Sequence, residues 1–212
     1  MPKVKPETLA ARREQVLQAA ERCFACQGFH QTTIQDLIRE SELSAGCIYS
    51  YFASKEELIQ AIGEERHTRD SALLAFNDKG IDPLESLRTI ARAFLGDLQK
   101  EPGLRTRRVA LQLWAEALRD DVIRAQVRSG IRQPIAIIVK VLRRAQRLGV
   151  IDRTVNPETI ARTMVAMFHG IVLQRLWGEP FSTAEEMKAF NFFLAGIATR
   201  DEVRSARRGS PR

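Results

Sequence analysis

The feature that most restricts what this chain can fold into is residues 32–58, TTIQDLIRESELSAGCIYSYFASKEEL. Apolar residues recur there at helical spacing in three short bursts, each opened by a hydroxyl side chain. Thr32 stands as N-cap to a helix with Ile34, Leu37 and Ile38 on one face. The pattern breaks at Ser41, Glu42 and Leu43. Ser44 then offers a second cap, with Ile48 and Phe52 four residues apart behind it, and Ser54 with Glu57 forms a capping box leading into Leu58 and Ile62. Two short helices across a tight joint are the helix-turn-helix layout, in which the second helix enters the major groove of DNA.

With Ile48 and Phe52 turned inward, Ala45, Gly46, Cys47, Tyr49, Ser50 and Tyr51 are expected to share the outer face. No carboxylate lies between Ser44 and Lys55, as a surface pressed against phosphates requires. Tyr and Ser hydroxyls donate to phosphate oxygens, and a Tyr ring packs on a thymine methyl. Lys55 opens the next helix, where a cation and a helix N-terminus both favour an anion. Local chemistry alone leaves a merely solvated aromatic face as the alternative.

Gly28-Phe29, Thr32-Thr33-Ile34, Leu37-Ile38, Leu43-Ser44, Gly46, Ile48-Tyr49, Tyr51-Phe52, Lys55 and Leu58 together resemble the N-terminal signature of the tetracycline-repressor (TetR) family, over roughly residues 10–62. The resemblance implies a homodimer that binds a palindromic double-stranded DNA operator, most often as a repressor, and is released by a small-molecule effector. It implies that Thr33 touches phosphate, that Ala45, Gly46, Cys47, Tyr49, Ser50 and Tyr51 form the reading helix, and that Lys55 clamps the DNA backbone. Two departures stand out: Ser41-Glu42 occupies the joint where Ala-Gly is usual, and Cys47 replaces a Thr or Asn.

Bulk charge adds nothing to this assignment. The net charge is +7, yet residues 1–60 hold seven Lys/Arg against eight Asp/Glu. The excess lies in residues 121–202, twelve against eight, and in residues 203–212, with four Arg and no acid. The case for DNA therefore rests on local arrangement. A hydrophobic content of 44% with 28% charged residues suits a globular chain with a substantial core. No apolar run approaches the roughly 18–20 residues that span a membrane, and no charged-then-apolar leader opens the chain, so the cytoplasm is expected.

Around the motif, residues 1–8 read as a flexible arm whose Lys3 and Lys5 could reach phosphates. Residues 9–27 read as a bracing helix ended by Gly28. Cys23 and Cys26 match C-x-x-C but sit inside that helical pattern, and no second pair or nearby His completes a zinc site, so they are expected to be small buried residues. A helix from Lys55 toward Leu73 or Phe76 would act as a lever on the reading helix. Further helices follow from Asp82-Pro83, after a break at Glu101-Pro102-Gly103 (carrying Val109, Leu113, Trp114 and Leu118 and ending around Arg119-Asp120), over residues 121–148, from Asn156-Pro157, and from Ser182 or Thr183. No strand-like alternation appears. The expectation is all-α: a three-helix DNA-binding unit in residues 1–54, a larger helical effector and dimerisation domain in 55–202, and a basic disordered tail in 203–212.

The last two long helices are apolar on more than one face and must bury both. Pairing them with the same helices of a second copy makes an isologous interface suited to a palindromic site. The resemblance places an effector pocket among the helices of residues 82–177. Phe94, Leu98, Trp114, Ile138, Met167, Phe168 and His169 are candidate walls, with Gln112 and Glu116 as polar anchors, and such walls favour a largely apolar ligand. An aromatic or Met stripe at this spacing serves equally as core. His30, His67 and His169 are widely separated, and no H-E-x-x-H, G-x-S-x-G or phosphate-cradling glycine loop occurs. No catalytic residue, metal ligand or cofactor is assigned. The other reading left open is a helical small-molecule-binding or interaction protein without sequence-specific DNA binding, consistent with Glu42 and the acidic balance of residues 1–60.

Overall fold

Helical spacing of apolar residues dictates the architecture of the computed structural model, which describes residues 6–74 and 81–199. Among the described residues there are nine helices: α1 (Pro6–Gln27), α2 (Ile34–Ser41), α3 (Ala45–Tyr51), α4 (Lys55–Leu74), α5 (Pro83–Asp97), α6 (Glu101–Glu116), α7 (Asp121–Arg147), α8 (Pro157–Leu176) and α9 (Thr183–Ile197). The only extended pairing among them is an isolated bridge between Ile151 and Ala198. The all-α class expected from the sequence is the class observed. The expectations for Lys3 and Lys5 and for the tail at 203–212 lie outside the described residues.

One compact unit comprises α1, α2, α3, α4 as far as Arg69, α6 from Pro102, and α7 as far as Ser129. Its core is a single cluster in which Leu17, Ala20 and Phe24 of α1 meet Leu37 of α2, Ile48 of α3, Leu58 and Ile59 of α4, and Val109 and Leu113 of α6. The second unit holds α5, the rest of α7, α8 and α9. Leu87, Leu142, Ala161, Met164 and Leu194 fill its centre. On its surface Arg88 donates through Nε to Asn191 Oδ1 at 3.0 Å, tying α5 to α9.

Several local expectations are corrected. Helix α1 begins at Pro6 rather than Leu9, because a proline's fixed φ suits the first helical turn and its missing N–H is not needed there. Thr33, not Thr32, caps α2: its backbone is extended and its Oγ1 accepts from Asp36 N. Thr32 is buried instead, its hydroxyl donating to Gly28 O at 2.7 Å. Pro102 and Gly103 lie in the first turn of α6, so the break precedes them. Helix α6 ends at Glu116 rather than around Arg119-Asp120, so Leu118 falls past it and is 81% exposed. Cys26 is exposed because the α1 stripe runs through Ala20 and Phe24, and a residue two beyond Phe24 points away from it. Cys23 is half-buried, and burial, aided by Glu40 and Asp36, pushes its thiol up, away from thiolate chemistry.

Candidate nucleic-acid interface

Helix α3, the candidate reading helix, is held by its ends and its back. Ser44 Oγ accepts from Cys47 N at 3.3 Å, closing the first turn of α3. Ile48 and Phe52 are 1% and 3% exposed and lock the other side into the core. The turn before it forms without glycine, as anticipated, and Glu42 takes the left-handed conformation at φ 57°. Gln15 Nε2 donates to Ser41 O at 2.7 Å, and Leu43 N donates to Ser41 Oγ at 3.3 Å, so the surroundings hold the turn shut. An L side chain at that φ costs roughly 1–2 kcal/mol, and glycine's greater freedom when unfolded returns part of it. Glu42→Gly is therefore expected to stabilise the chain by about 0.5–1 kcal/mol, read as a melting temperature higher by a few degrees. A lower melting temperature would show that the Glu42 side chain makes up more than the strain.

The outward face is narrower than the sequence suggested. Gly46, Tyr49 and Ser50 are exposed, Tyr49 to 51%. Ala45 is half-buried, while Cys47 and Tyr51 are half-buried and pack against the core cluster. The reason is angular: Cys47 and Tyr51 flank Ile48 and Phe52 in sequence and are drawn partly under the helix. Ser50 Oγ donates to Cys47 O at 2.6 Å.

Thr33, expected to touch phosphate, has both its donors turned to Asp36: N to Oδ2 at 2.9 Å and Oγ1 to Oδ2 at 2.7 Å. Gln27 Nε2 donates to the same oxygen at 2.9 Å. These bonds from Thr33 and Gln27 hold the Asp36 carboxyl down, from 3.8 to about 2. A depressed carboxyl stabilises the fold above its unfolded value and loses that contribution as pH falls through its folded value. Between about pH 4 and pH 2 the melting temperature of the wild type should therefore fall more steeply than that of Asp36→Asn. Parallel curves would mean that the capping carboxylate contributes nothing to folding.

Lys55 also departs from expectation. Its Nζ donates to the carbonyl oxygens of Phe29 at 2.9 Å, His30 at 3.3 Å and Thr32 at 2.9 Å, and lies 4.9 Å from the centre of the Phe29 ring. Three donors meet three carbonyls, so the ammonium organises the loop before α2 rather than standing free for a phosphate. Thr33, Tyr49, Ser54, Lys55 and Glu56 nevertheless line one cleft of about 510 Å³, together with His30 and Ile34, between the starts of α2 and α4. Of these, His30, Ser54 and Glu56 carried no site signal in the sequence.

The candidate effector residues separate. Gln112, Trp114 and Glu116 belong to the first unit. Gln112 Nε2 donates to Phe24 O at 2.8 Å and its Oε1 accepts from Phe29 N at 2.7 Å, while Glu116 Oε1 pairs with His30 Nε2 at 2.8 Å. Their polar groups serve the loop that enters α2, which corrects their reading as pocket anchors. Leu98 and Ile138 are buried, 0% and 4% exposed, and Ile138 belongs to the second unit's central core. Phe94 and Phe168 pack ring to ring at 4.7 Å beside Ile90 and Ile137, with Met167 and His169 half-buried nearby in sequence. Among the described residues no cluster of His, Cys, Asp or Glu could hold a metal ion, and no helix is long and apolar enough to cross a membrane.

Residues 16–62 match the sequence profile described as bacterial regulatory proteins, tetR family, and residues 83–199 match that of the BetI-type transcriptional repressor C-terminal region. The chain is similar to the regulator TtgR of Pseudomonas putida, 31% identical over 78% of this chain and 79% of the relative. It is similar to the repressor AcnR of Corynebacterium jeikeium, 29% identical over 81% and 85%. A transcriptional regulator of Saccharomonospora viridis in complex with choline shares the fold at a TM-score of 0.81 and 22% identity, covering 90% of this chain and all (100%) of that one. SmeT, the repressor of a Stenotrophomonas maltophilia multidrug efflux pump, in its triclosan complex aligns at a TM-score of 0.71 and 25% identity, covering 90% and 93%.

Proposed function

This chain belongs to the TetR family of bacterial regulatory proteins and is a DNA-binding transcriptional regulator, and from that premise we propose how its residues divide the work. Tyr49 and Ser50 read base edges, Gly46 lets the helix backbone approach the DNA closely, and Ala45, Cys47 and Tyr51 set how deeply α3 sits in the groove. Thr33 meets the flanking phosphate by exchanging its Asp36 partner, and Lys55 shapes the loop beside it. The observation that carries this reading is Tyr49. It is half-exposed on a helix whose other side is locked by two fully buried side chains, so its ring and hydroxyl are presented without freedom to turn inward.

The regulator acts in the cytoplasm as a homodimer on a palindromic operator, as a repressor released by a small molecule. Phe192 on α9 and Trp177 at the end of α8 are 80% and 73% exposed, apolar surface of the kind a second copy covers. Two-fold pairing through α8 and α9 gives each half of a palindrome one reading helix, and such half-sites lie roughly 34–36 Å apart, one helical turn of DNA. Functionally, residues 1–54 read DNA, and residues 55–202 carry the effector and the dimer contact. The Phe94–Phe168 pair with Ile90 and Ile137 forms the wall against which a largely apolar effector lies. Solved relatives hold choline and triclosan; for this chain the aromatic pair supports the broader class. To release DNA the effector must bind the DNA-incompetent arrangement more tightly than the competent one. No catalytic step belongs to this reading.

Selection of bound fragments from random duplex DNA, using the purified chain, is expected to enrich one palindromic sequence. Compounds that release it then identify the effector. A pool that stays random after several rounds would count against sequence-specific binding.

A further inference from the structure

We infer that Gln112 is a positioning residue for DNA reading: it holds the loop between α1 and α2 in the one conformation that seats α2, although it lies 83 residues beyond that loop in sequence. The inference rests on the reading of α3 given above. Helix α1 ends at Gln27, and Gly28 turns the chain at φ +88°. Such an end leaves a helix carbonyl and the next amides in need of partners. Gly28 N returns to Phe24 O at 3.0 Å, and the same oxygen accepts a second bond from Gln112 Nε2 at 2.8 Å. Phe29 N, on a residue only 6% exposed, donates to Gln112 Oε1 at 2.7 Å. One side-chain amide thus supplies a donor and an acceptor to two backbone groups five residues apart. A carboxylate has no donor for Phe24 O, and a thioether serves neither group.

The loop is held from the other side as well. Lys55 of α4 takes the carbonyls of Phe29, His30 and Thr32, and Glu116, one turn beyond Gln112 on α6, takes the His30 ring. The Phe29 ring meets Phe24 edge-on at 5.4 Å between these grips. Thr33, the cap of α2 and a wall of the cleft beside Tyr49, follows directly. Removing the Gln112 amide frees Phe29 N and half-frees Phe24 O in a buried place, and the least costly response is for residues 28–32 to open toward water. Opening moves Thr33 and the start of α2 away from the position that the reading face requires.

The test compares wild type with Gln112→Met, which keeps volume and loses both bonds, and Gln112→Glu, which keeps the acceptor alone. Two quantities are read well below the melting temperature: affinity for the selected duplex, and hydrogen exchange amide by amide. Gln112→Met should weaken duplex binding about tenfold and speed exchange at Phe29 at least about tenfold, with core amides of Leu17 and Ile48 unchanged. Gln112→Glu should fall between. Wild-type affinity in Gln112→Met overturns the inference, whether or not Phe29 exchanges faster. Equal loss of protection at Phe29 and across the core also overturns it, since that marks a residue serving stability rather than position. A wild-type chain that enriches no duplex at all sinks the reading of DNA itself; wild-type binding with an indifferent variant sinks only the role of Gln112.

Discussion

Phe192→Glu is expected to turn the homodimer into a monomer and to abolish operator binding at concentrations where the wild type is saturated. Phe192 sits on α9 with 80% of its surface exposed in the single chain. Covering a phenylalanine contributes roughly 1.5–3 kcal/mol, and placing an unpaired carboxylate in the same spot adds a desolvation cost of several kcal/mol. A two-fold interface contains the substitution twice. Together these raise the dimer dissociation constant by at least about a thousandfold. Within one chain the side chain touches little, so the monomer should keep nearly the wild-type melting temperature once dissociation is allowed for. Sedimentation at several concentrations, run beside an operator titration, reads both quantities. A variant that remains dimeric and binds the operator normally would move the interface elsewhere.

Tyr49→Ala is expected to weaken operator binding by roughly two to four orders of magnitude while leaving the fold intact. A good base contact contributes about 1–3 kcal/mol, and a palindrome uses each contact in both half-sites. Stability should shift by no more than about 0.5 kcal/mol, because the ring is half-exposed and alanine favours a helix. The diagnostic is the separation of the two effects, lost affinity with an unmoved melting curve. Undiminished binding would remove Tyr49 from the reading face. Lys55→Ala is a poorer probe of the same surface, since it strips three carbonyls of their shared partner.

Much of the helix-turn-helix unit is legible in the sequence. Hydroxyl caps at Ser44 and Ser54, the break at Ser41-Glu42, and the pairing of Ile48 with Phe52 are short-range signals, and short-range chemistry sets helix ends and faces. The same chemistry was ambiguous between neighbours. Thr32 reads as the cap in sequence, but the cap is Thr33, because Asp36 stands three residues beyond it and Thr32 is drawn into the interior. Cys47 and Tyr51 face outward by spacing alone and are half-covered, since a seven-residue helix seated on a core buries the flanks of its inward face as well.

The sequence by itself determined the class, the order of the helices and the identity of the side chain that faces outward at Tyr49, because each follows from spacing within a few residues. Only the tertiary structure decided what Gln112, Glu116 and Lys55 do. Read in the chain they were two polar anchors for a ligand and one clamp for a phosphate. Folded, all three converge on residues 24–32 from 23 to 88 residues away. Periodicity carries no record of which distant carbonyl a long side chain will meet. That is settled when the helices pack and an unpartnered polar group has one partner within reach.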